Sequence, residues 1–342
     1  VVVASRAMRL LILALIAAIT PVWAAKNLEI YFVDVEGGQA TVIVGPSGES
    51  MVVDTGWLGY GGRDADRIRA VAKAAKLKKI DYVLVTHYHL DHVGGAFALS
   101  ERIPVGTFID HGPNNETGKS AGEMSEVYAK ASQNSQKRTV KPGDTIPRKG
   151  VDITLVQANG EHLAQALPGA GQPNPACAAS EKKAVDPTEN ARSTGFVLKY
   201  GGFRFVDLGD LTWNKELDLA CPANLLGKVD VYLTTHHGLD QSNAPAIVHA
   251  LHPTVAIMNN GAKKGGSPSA WKVIRSSPGL EDIWQLHFAM AGGKETNAPD
   301  TFIANLDQQC EGKYIKLTVE PSGAYTVYNS RNKYQKTYHA GS

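Results

Sequence analysis

Cysteine is scarce in this chain: Cys177, Cys221 and Cys310 are the whole complement. None stands in a Cys-x-x-Cys pair, which speaks against thiolate metal ligands. Two can bond in an exported protein, and Cys177 with Cys221 is the preferred pairing because each lies in a loop-like, Pro-flanked segment. Cys310 is then left over. A surplus of one charge is also missing, with 35 basic against 33 acidic residues. Loss of the first 24 residues would remove Arg6 and Arg9 and no acid, leaving a net charge of about zero. Such a balance does not advertise a nucleic-acid-binding face. Long apolar runs are lacking too. The one apolar stretch of note, Leu10 to Ile19, is too short for a comfortable transmembrane helix.

That stretch instead reads as part of a secretory signal over residues 1–24. Arg9 supplies the positive start and Val22-Trp23-Ala24 a small-x-small cleavage site. The expectation is a mature chain 25–342 forming one domain, secreted or periplasmic, with no transmembrane segment once the signal is removed. An uncleaved N-terminal anchor is the alternative. No short-period repeat and no linker divides the rest.

What is present in force is Thr86-His87-Tyr88-His89-Leu90-Asp91-His92-Val93-Gly94-Gly95. It follows Ile80 to Val85, a short β-branched run that reads as a buried strand. Three imidazoles and a carboxylate therefore leave the C-terminal edge of a strand, where α/β proteins place their sites. These are ligands for zinc and, less exclusively, for iron or manganese. Gly94-Gly95 would let the backbone turn tightly into a helix. A solvated His-rich loop would be irregular in spacing and would seldom follow a core strand.

Around it, Leu28 to Val35, Ala40 to Val44 and Ser50 to Asp54 read as strands joined by turn chemistry. Asp64 to Lys78 has one apolar helical face. Asn114 to Thr139 is polar and suits a lid with a short helix inside it, or plain surface loop. Ala164 to Pro187 is an inserted Pro-, Ala- and Gly-rich loop. A hairpin about Gly201-Gly202 delivers Asp207-Leu208-Gly209-Asp210. The buried strand Val229 to Thr235 ends in His236-His237-Gly238. His287 alternates with apolar neighbours and reads as a core histidine. Periodicity alone supports an α/β fold in one domain.

His-x-His-x-Asp-His followed by Gly-Gly resembles the metallo-β-lactamase superfamily. The resemblance implies a four-layer αββα sandwich and two divalent ions, zinc first, with manganese or iron as alternatives. His87 and His89 would hold the first ion, Asp91 and His92 the second, with His237 joining the second. Asp210, matching the superfamily's Gly-Asp motif, would bridge the two. Asp54, in Val53-Asp54-Thr55-Gly56, would orient the ligand loop by hydrogen bonding. In His-His-Gly the residue before Gly matches the family ligand, which selects His237 and sets His236 behind it; the reverse stays open. The first ion normally has a third histidine. His162 lies in the right order but one residue off the Gly-His pattern, so its part stays open.

A closer resemblance is to the metallo-β-lactamase-like domain of ComEC-type competence proteins. It rests on the opening strands, Thr-His-x-His-x-Asp-His, Asn190 with Ser193, Tyr200-Gly201-Gly202, Gly209-Asp210-Leu211, Thr235-His236-His237-Gly238 and Ser242. Those proteins are thought to cut DNA phosphodiesters. Nothing in residues 25–342 reads as their membrane channel, and Gly266-Ser267-Pro268 stands where that family tends to show Gly-His-Pro. The leading expectation is an exported metal-dependent hydrolase using a metal-bound hydroxide on phosphoesters or phosphodiesters, small or polymeric. Asp91 would be its proton carrier. A lactonase or β-lactamase, and a metal-binding envelope module without turnover, are the competing readings.

Overall fold

A computed structural model describes residues 26–341; the expected signal and its cleavage site lie outside them. The first strand already shows why the fold has layers. In β1 (Leu28–Phe32), Leu28, Ile30 and Phe32 enter one core, while Tyr31 enters another on the opposite face. Five strands follow it: β2 (Thr41–Val44), β3 (Ser50–Val53), β4 (Ile80–Leu84), β5 (Val105–Asp110) and β6 (Gln136–Thr139). Interspersed are α1 (Arg63–Ala74), α2 (Ala96–Ser100) and α3 (Lys119–Ser132).

A second sheet is then laid down by β7 (Thr145–Ile146), β8 (Asp152–Ala158), β9 (Glu161–His162), β10 (Gly195–Tyr200) and β11 (Phe203–Asp207). It continues through β12 (Val231–Leu233), β13 (Val255–Met258), β14 (Asp282–His287) and β15 (Ile303–Asn305), with α4 (Trp213–Ala220), α5 (Pro245–Leu251) and α6 (Pro268–Arg275) between. The chain finally returns to the first sheet as β16 (Ile315–Val319), β17 (Ala324–Asn329) and β18 (Gln335–His339). The first sheet runs β18-β17-β16-β1-β2-β3-β4-β5-β6, the second β15-β14-β13-β12-β11-β10-β8-β7 with β9 beside β8.

Three buried clusters define four layers. Phe32, Phe196, Phe205 and Trp284 pack between the sheets. Ile68, Leu99 and Met124 seal the first sheet under α1–α3, and Leu217, Ile247 and Ile274 seal the second under α4–α6. Each such side chain removed from water contributes roughly 1.5–3 kcal/mol before the entropy of ordering it. This is the expected αββα sandwich.

Three local readings change. The segment 114–139 carries a full helix, α3, and ends as the edge strand β6 rather than as a loop, because Met124 and Tyr128 supply an apolar face to bury. Strand β12 stops at Leu233, so His236 and His237 lie beyond the strand in a tight helical turn. A further strand, β18, extends the C-terminal hairpin. The Cys177–Cys221 disulfide forms, with Cα atoms 5.7 Å apart, and ties the inserted loop to the end of α4. Cys310 keeps a free thiol. Among the described residues no helix is long and apolar enough to cross a membrane.

Candidate metal centre

Strands β3, β4, β5 and β6 pair in parallel in one sheet, and β11 to β15 pair in parallel in the other. Their C-terminal ends share one rim of the sandwich, and the chemistry-bearing side chains leave from there. Behind the ligand loop the chain is very close. A Cβ on Gly94 would sit 2.0 Å from the Leu90 carbonyl oxygen, and one on Gly95 2.1 Å from that of Thr55. Both glycines are thus required by backbone contact and not by a left-handed conformation.

Asp91, His92, Asp210 and His237 converge, each offering one atom within 4.8 Å of the others, and all four are buried. Nε2 of His92 lies 3.2 Å from Nε2 of His237, 3.2 Å from Asp91 Oδ2 and 3.1 Å from Asp210 Oδ2. Nε2 of His237 lies 3.2 Å from Asp210 Oδ1 and 3.4 Å from Asp91 Oδ2. On its far side His92 Nδ1 meets Asp54 Oδ2 at 2.7 Å. Asp54 in turn accepts the Thr86 N–H at 2.8 Å and the Thr86 hydroxyl at 2.6 Å. That arrangement ties down Nδ1 and leaves Nε2 as the electron-pair donor toward the cluster.

The charge of the pocket points the same way. Burial opposes the ionisation of Asp210 and Asp91, yet the neighbouring imidazoles hold both carboxyls well below the usual carboxylate range. Burial also opposes charging His92, but Asp210, Asp91 and Asp54 outweigh it and hold its pKa well above the ordinary value. A buried site that draws positive charge onto an imidazole, with nitrogen and carboxylate donors facing each other, fits a divalent cation.

His87 and His89 form a separate, adjoining pair. His87 Nε2 and His89 Nδ1 are 3.0 Å apart, and the His87 ring centroid lies 4.1 Å from that of His92. His87 is fully buried, whereas the His89 side chain is 26% exposed and its Nε2 lies 3.1 Å from Glu116 Oε1. His236 also reaches the centre, with Nε2 3.3 Å from Asp210 Oδ2 and Nδ1 3.2 Å from the Ser242 hydroxyl. Strand alternation therefore does not separate His236 from His237: both adopt φ of 54° beyond β12, and both rings approach Asp210. His162 is not brought in. It sits exposed on β9, paired with Gln157.

Several participants were not legible beforehand. Lys264, in the loop after β13, donates from Nζ to Asp91 Oδ2 and lies 5.1 Å over the Trp57 ring. Buried Glu189 accepts from His111 Nε2 at 2.9 Å and from the Tyr88 N–H at 3.2 Å; its own N–H donates to Glu116. Gln39 bridges the sheets, donating to Asp207 at 2.9 Å and accepting from Asn259 at 3.3 Å. Glu36, Asp54, His236 and His237 all take positive φ. Non-glycine residues so placed cost about 1–3 kcal/mol each and gather where function over-determines the backbone. The paired glycines flanking Lys263-Lys264, Gly261 and Gly265-Gly266, were the available signal for Lys264.

Among solved structures, the metallo-beta-lactamase fold protein YhfI from Bacillus subtilis is similar, at 12% identity and a TM-score of 0.48, covering 75% of this chain and 96% of that one. A UPF0173 metal-dependent hydrolase of Anaeromyxobacter dehalogenans (strain 2CP-C) is 28% identical over 233 residues, 66% of this chain and 73% of that protein. A second, from Anaeromyxobacter sp. (strain K), is likewise 28% identical over the same shares. Residues 33–174, which carry Asp54 and the ligand loop, match the model of the metallo-beta-lactamase superfamily. With two mixed sheets flanked by helices and the ligand loop on their shared rim, the chain has the metallo-β-lactamase fold.

Proposed function

We propose that the protein is a metal-dependent hydrolase acting on phosphoesters or phosphodiesters, exported and freed of residues 1–24. The observation that carries the reading is the buried convergence of Asp91, His92, Asp210 and His237, with His92 oriented from behind by Asp54. Asp210 faces both imidazoles and, with His87 and His89 adjoining, would be the residue shared between two ions. Bound divalent ions supply Lewis acidity and lower the pKa of water. The chain's own residues do the rest. Asp91 is the proton carrier, and Lys264 holds its carboxylate toward the centre. The relatives' description as metal-dependent hydrolases agrees with this chemistry.

Two features favour a phosphoryl over an acyl substrate: the ComEC-type pattern of motifs, and cations at the rim. A cavity of about 690 Å³ beside Trp57 carries Lys263, while its Arg63 and Arg67 are paired with Asp64, Asp34 and Glu36. Lys264 stands next to it. Such a lining suits one phosphate group better than a long polyanion, in keeping with the near-neutral chain. A panel of a nitrophenyl phosphodiester, a nitrophenyl phosphomonoester, a lactone and nitrocefin, with zinc or manganese added, tests the proposal. Turnover of the phosphodiester is expected; turnover of nitrocefin or the lactone alone would replace it.

One observation favours a second reading, a metal-binding module without turnover. With His162 turned to solvent, His87 and His89 are the only histidines facing the first ion's place among the described residues. One firmly held ion per chain, with no hydrolysis of activated esters, would establish that reading.

A further inference from the structure

A second convergence of ligand-type side chains lies on the same rim, outside the centre described above. Asp34 follows β1, Glu36 stands in the turn after it, His287 ends β14 and Cys310 lies in the loop after β15. One donor atom from each falls within 4.8 Å of the others. The Cys310 thiol donates to Asp34 Oδ2 at 3.1 Å and to Glu36 Oε1 at 3.2 Å, and lies 3.9 Å from His287 Nε2. His287 Nε2 lies 2.7 Å from Asp34 Oδ1 and 3.7 Å from Glu36 Oε2. Asp34 and His287 are fully buried, while Glu36 and Cys310 open onto the cavity of about 690 Å³.

We propose that Asp34, Glu36, His287 and Cys310 form a second, thiolate-containing metal site of the zinc class, distinct from the candidate hydrolytic centre. One sulfur, one imidazole nitrogen and two carboxylates are a complete four-donor set for Zn²⁺, and the cavity provides the ion's way in. The same thiol was discounted on sequence because it has no near neighbour in the chain; the fold supplies neighbours from positions 34, 36 and 287.

Arg67 is the objection to meet. Its Nη1 donates to Asp34 Oδ2 at 2.8 Å and to Glu36 Oε1 at 3.3 Å, and its Nη2 approaches the Cys310 carbonyl oxygen at 3.4 Å. A salt-bridge network would need nothing more than that. Yet one guanidinium against two carboxylates and a thiolate leaves a formal charge of about minus two. A divalent ion would balance it, with His287 neutral. On binding, the Cys310 Sγ–H proton goes to solvent, and the His287 proton leaves Nε2 for Nδ1, an atom with no hydrogen-bond partner among the described residues. The site would brace the Glu36-Gly37-Gly38 turn, whose next residue, Gln39, donates its N–H to the Asp91 carbonyl at 3.1 Å.

The test uses cobalt, because only Cys310 has a free thiol and the hydrolytic centre contains no sulfur. The full chain, purified without reductant, is titrated for thiols after denaturation, then loaded with Co²⁺ and read in the near ultraviolet. One thiol per chain and a sulfur-to-cobalt charge-transfer band are expected. Cys310→Ser should abolish the band and lower bound metal by about one equivalent. His287→Ala should weaken the band, and Asp210→Ala should retain it. A wild-type chain saturated with cobalt but showing no such band would overturn the site. So would a band unchanged in Cys310→Ser, or a purified chain with no free thiol.

Discussion

The two halves of the candidate centre are built to different standards. Asp91, His92, Asp210 and His237 form a closed set, buried and drawn from both sheets, with Asp54 and Thr86 fixing one imidazole from behind. His87 and His89 are two nitrogens from one strand end, one of them partly exposed, steadied by Glu116 and Thr86. The difference bears on affinity. Four donors held at three strand ends lose little on binding an ion, whereas two donors leave the rest of the shell to water and substrate. A tightly and a loosely held ion, in that order, is the reading to break or sharpen.

Asp210→Ala is the severest break, since Asp210 faces His92, His236 and His237 at once. Bound metal and hydrolysis should fall together, with activity down by more than about 100-fold. Metal analysis after dialysis beside a rate measurement checks it; retained metal with lost activity would limit Asp210 to catalysis.

His237→Ala should come next and should empty the site further than His236→Ala when both are dialysed against the same chelator. His237 faces two carboxylates and His92, while His236 approaches Asp210 alone and is otherwise held by Ser242. Burial pushes the His236 pKa down to about 4, so the ring stays neutral and available. An emptier His236→Ala would exchange the two roles. Asp54→Asn keeps the shape and removes the charge behind His92; a partner of that kind is typically worth 10–100-fold in metal affinity. A change under about threefold would mean that packing alone orients His92.

How much of this could be read along the chain follows from how local each feature is. The loop 87–95 carries its ligands within six positions, and Asp210 and His237 each stand beside a turn glycine after an apolar strand, so their place on the rim was legible. Lys264, Glu189 and Gln39 were not, because each acts on a partner far away in sequence: Lys264 on Asp91, Glu189 on Tyr88 and His111, Gln39 on Asp207 and Asn259. Only resemblance chose between His236 and His237; alternation along a strand cannot separate them, since a strand three residues long ends before the pair. Four layers followed from resemblance. Period-two patterning gave the strands but could not say which buried face meets the other sheet.

The supports beneath the two halves differ in charge, which gives a smaller, pH-dependent test. Glu189, near the His87–His89 pair, is held ionised: burial opposes it, but His111 and two backbone N–H groups lower its pKa. Glu216 lies under the His236–His237 turn and accepts the N–H groups of Asn243 and Ala244. Burial pushes it up from 4.5 to about 7. The folded chain therefore holds this proton where the unfolded chain has lost it, so the stability that Glu216 contributes is full below pH 4.5 and is lost as pH rises toward 7. Glu216→Gln should remove that decline, gaining up to about 3 kcal/mol relative to wild type between pH 5 and 8. Denaturant midpoints across the range decide it; parallel curves would mean that Glu216 is ionised throughout.

The smallest effect expected is at His162, and it is the sharpest test of the loose half. Resemblance offers His162 as third donor to the first ion, but the backbone sends it elsewhere. Gln157 lies buried near the end of β8, past a register shift in its pairing with β10. The chain then turns through Asn159-Gly160, both at positive φ, and folds back as β9 with His162 opposite Gln157 and exposed. A histidine on the outer leg of so short a hairpin cannot meet His87 unless the β8–β9 pairing is undone. His162→Ala should therefore change metal content and rate by less than about twofold, as an exposed substitution touching no partner does. His89→Ala should cost the weaker ion. Equal loss in the two variants would mean that the hairpin folds inward when metal binds, and the halves of the centre would then be equally complete.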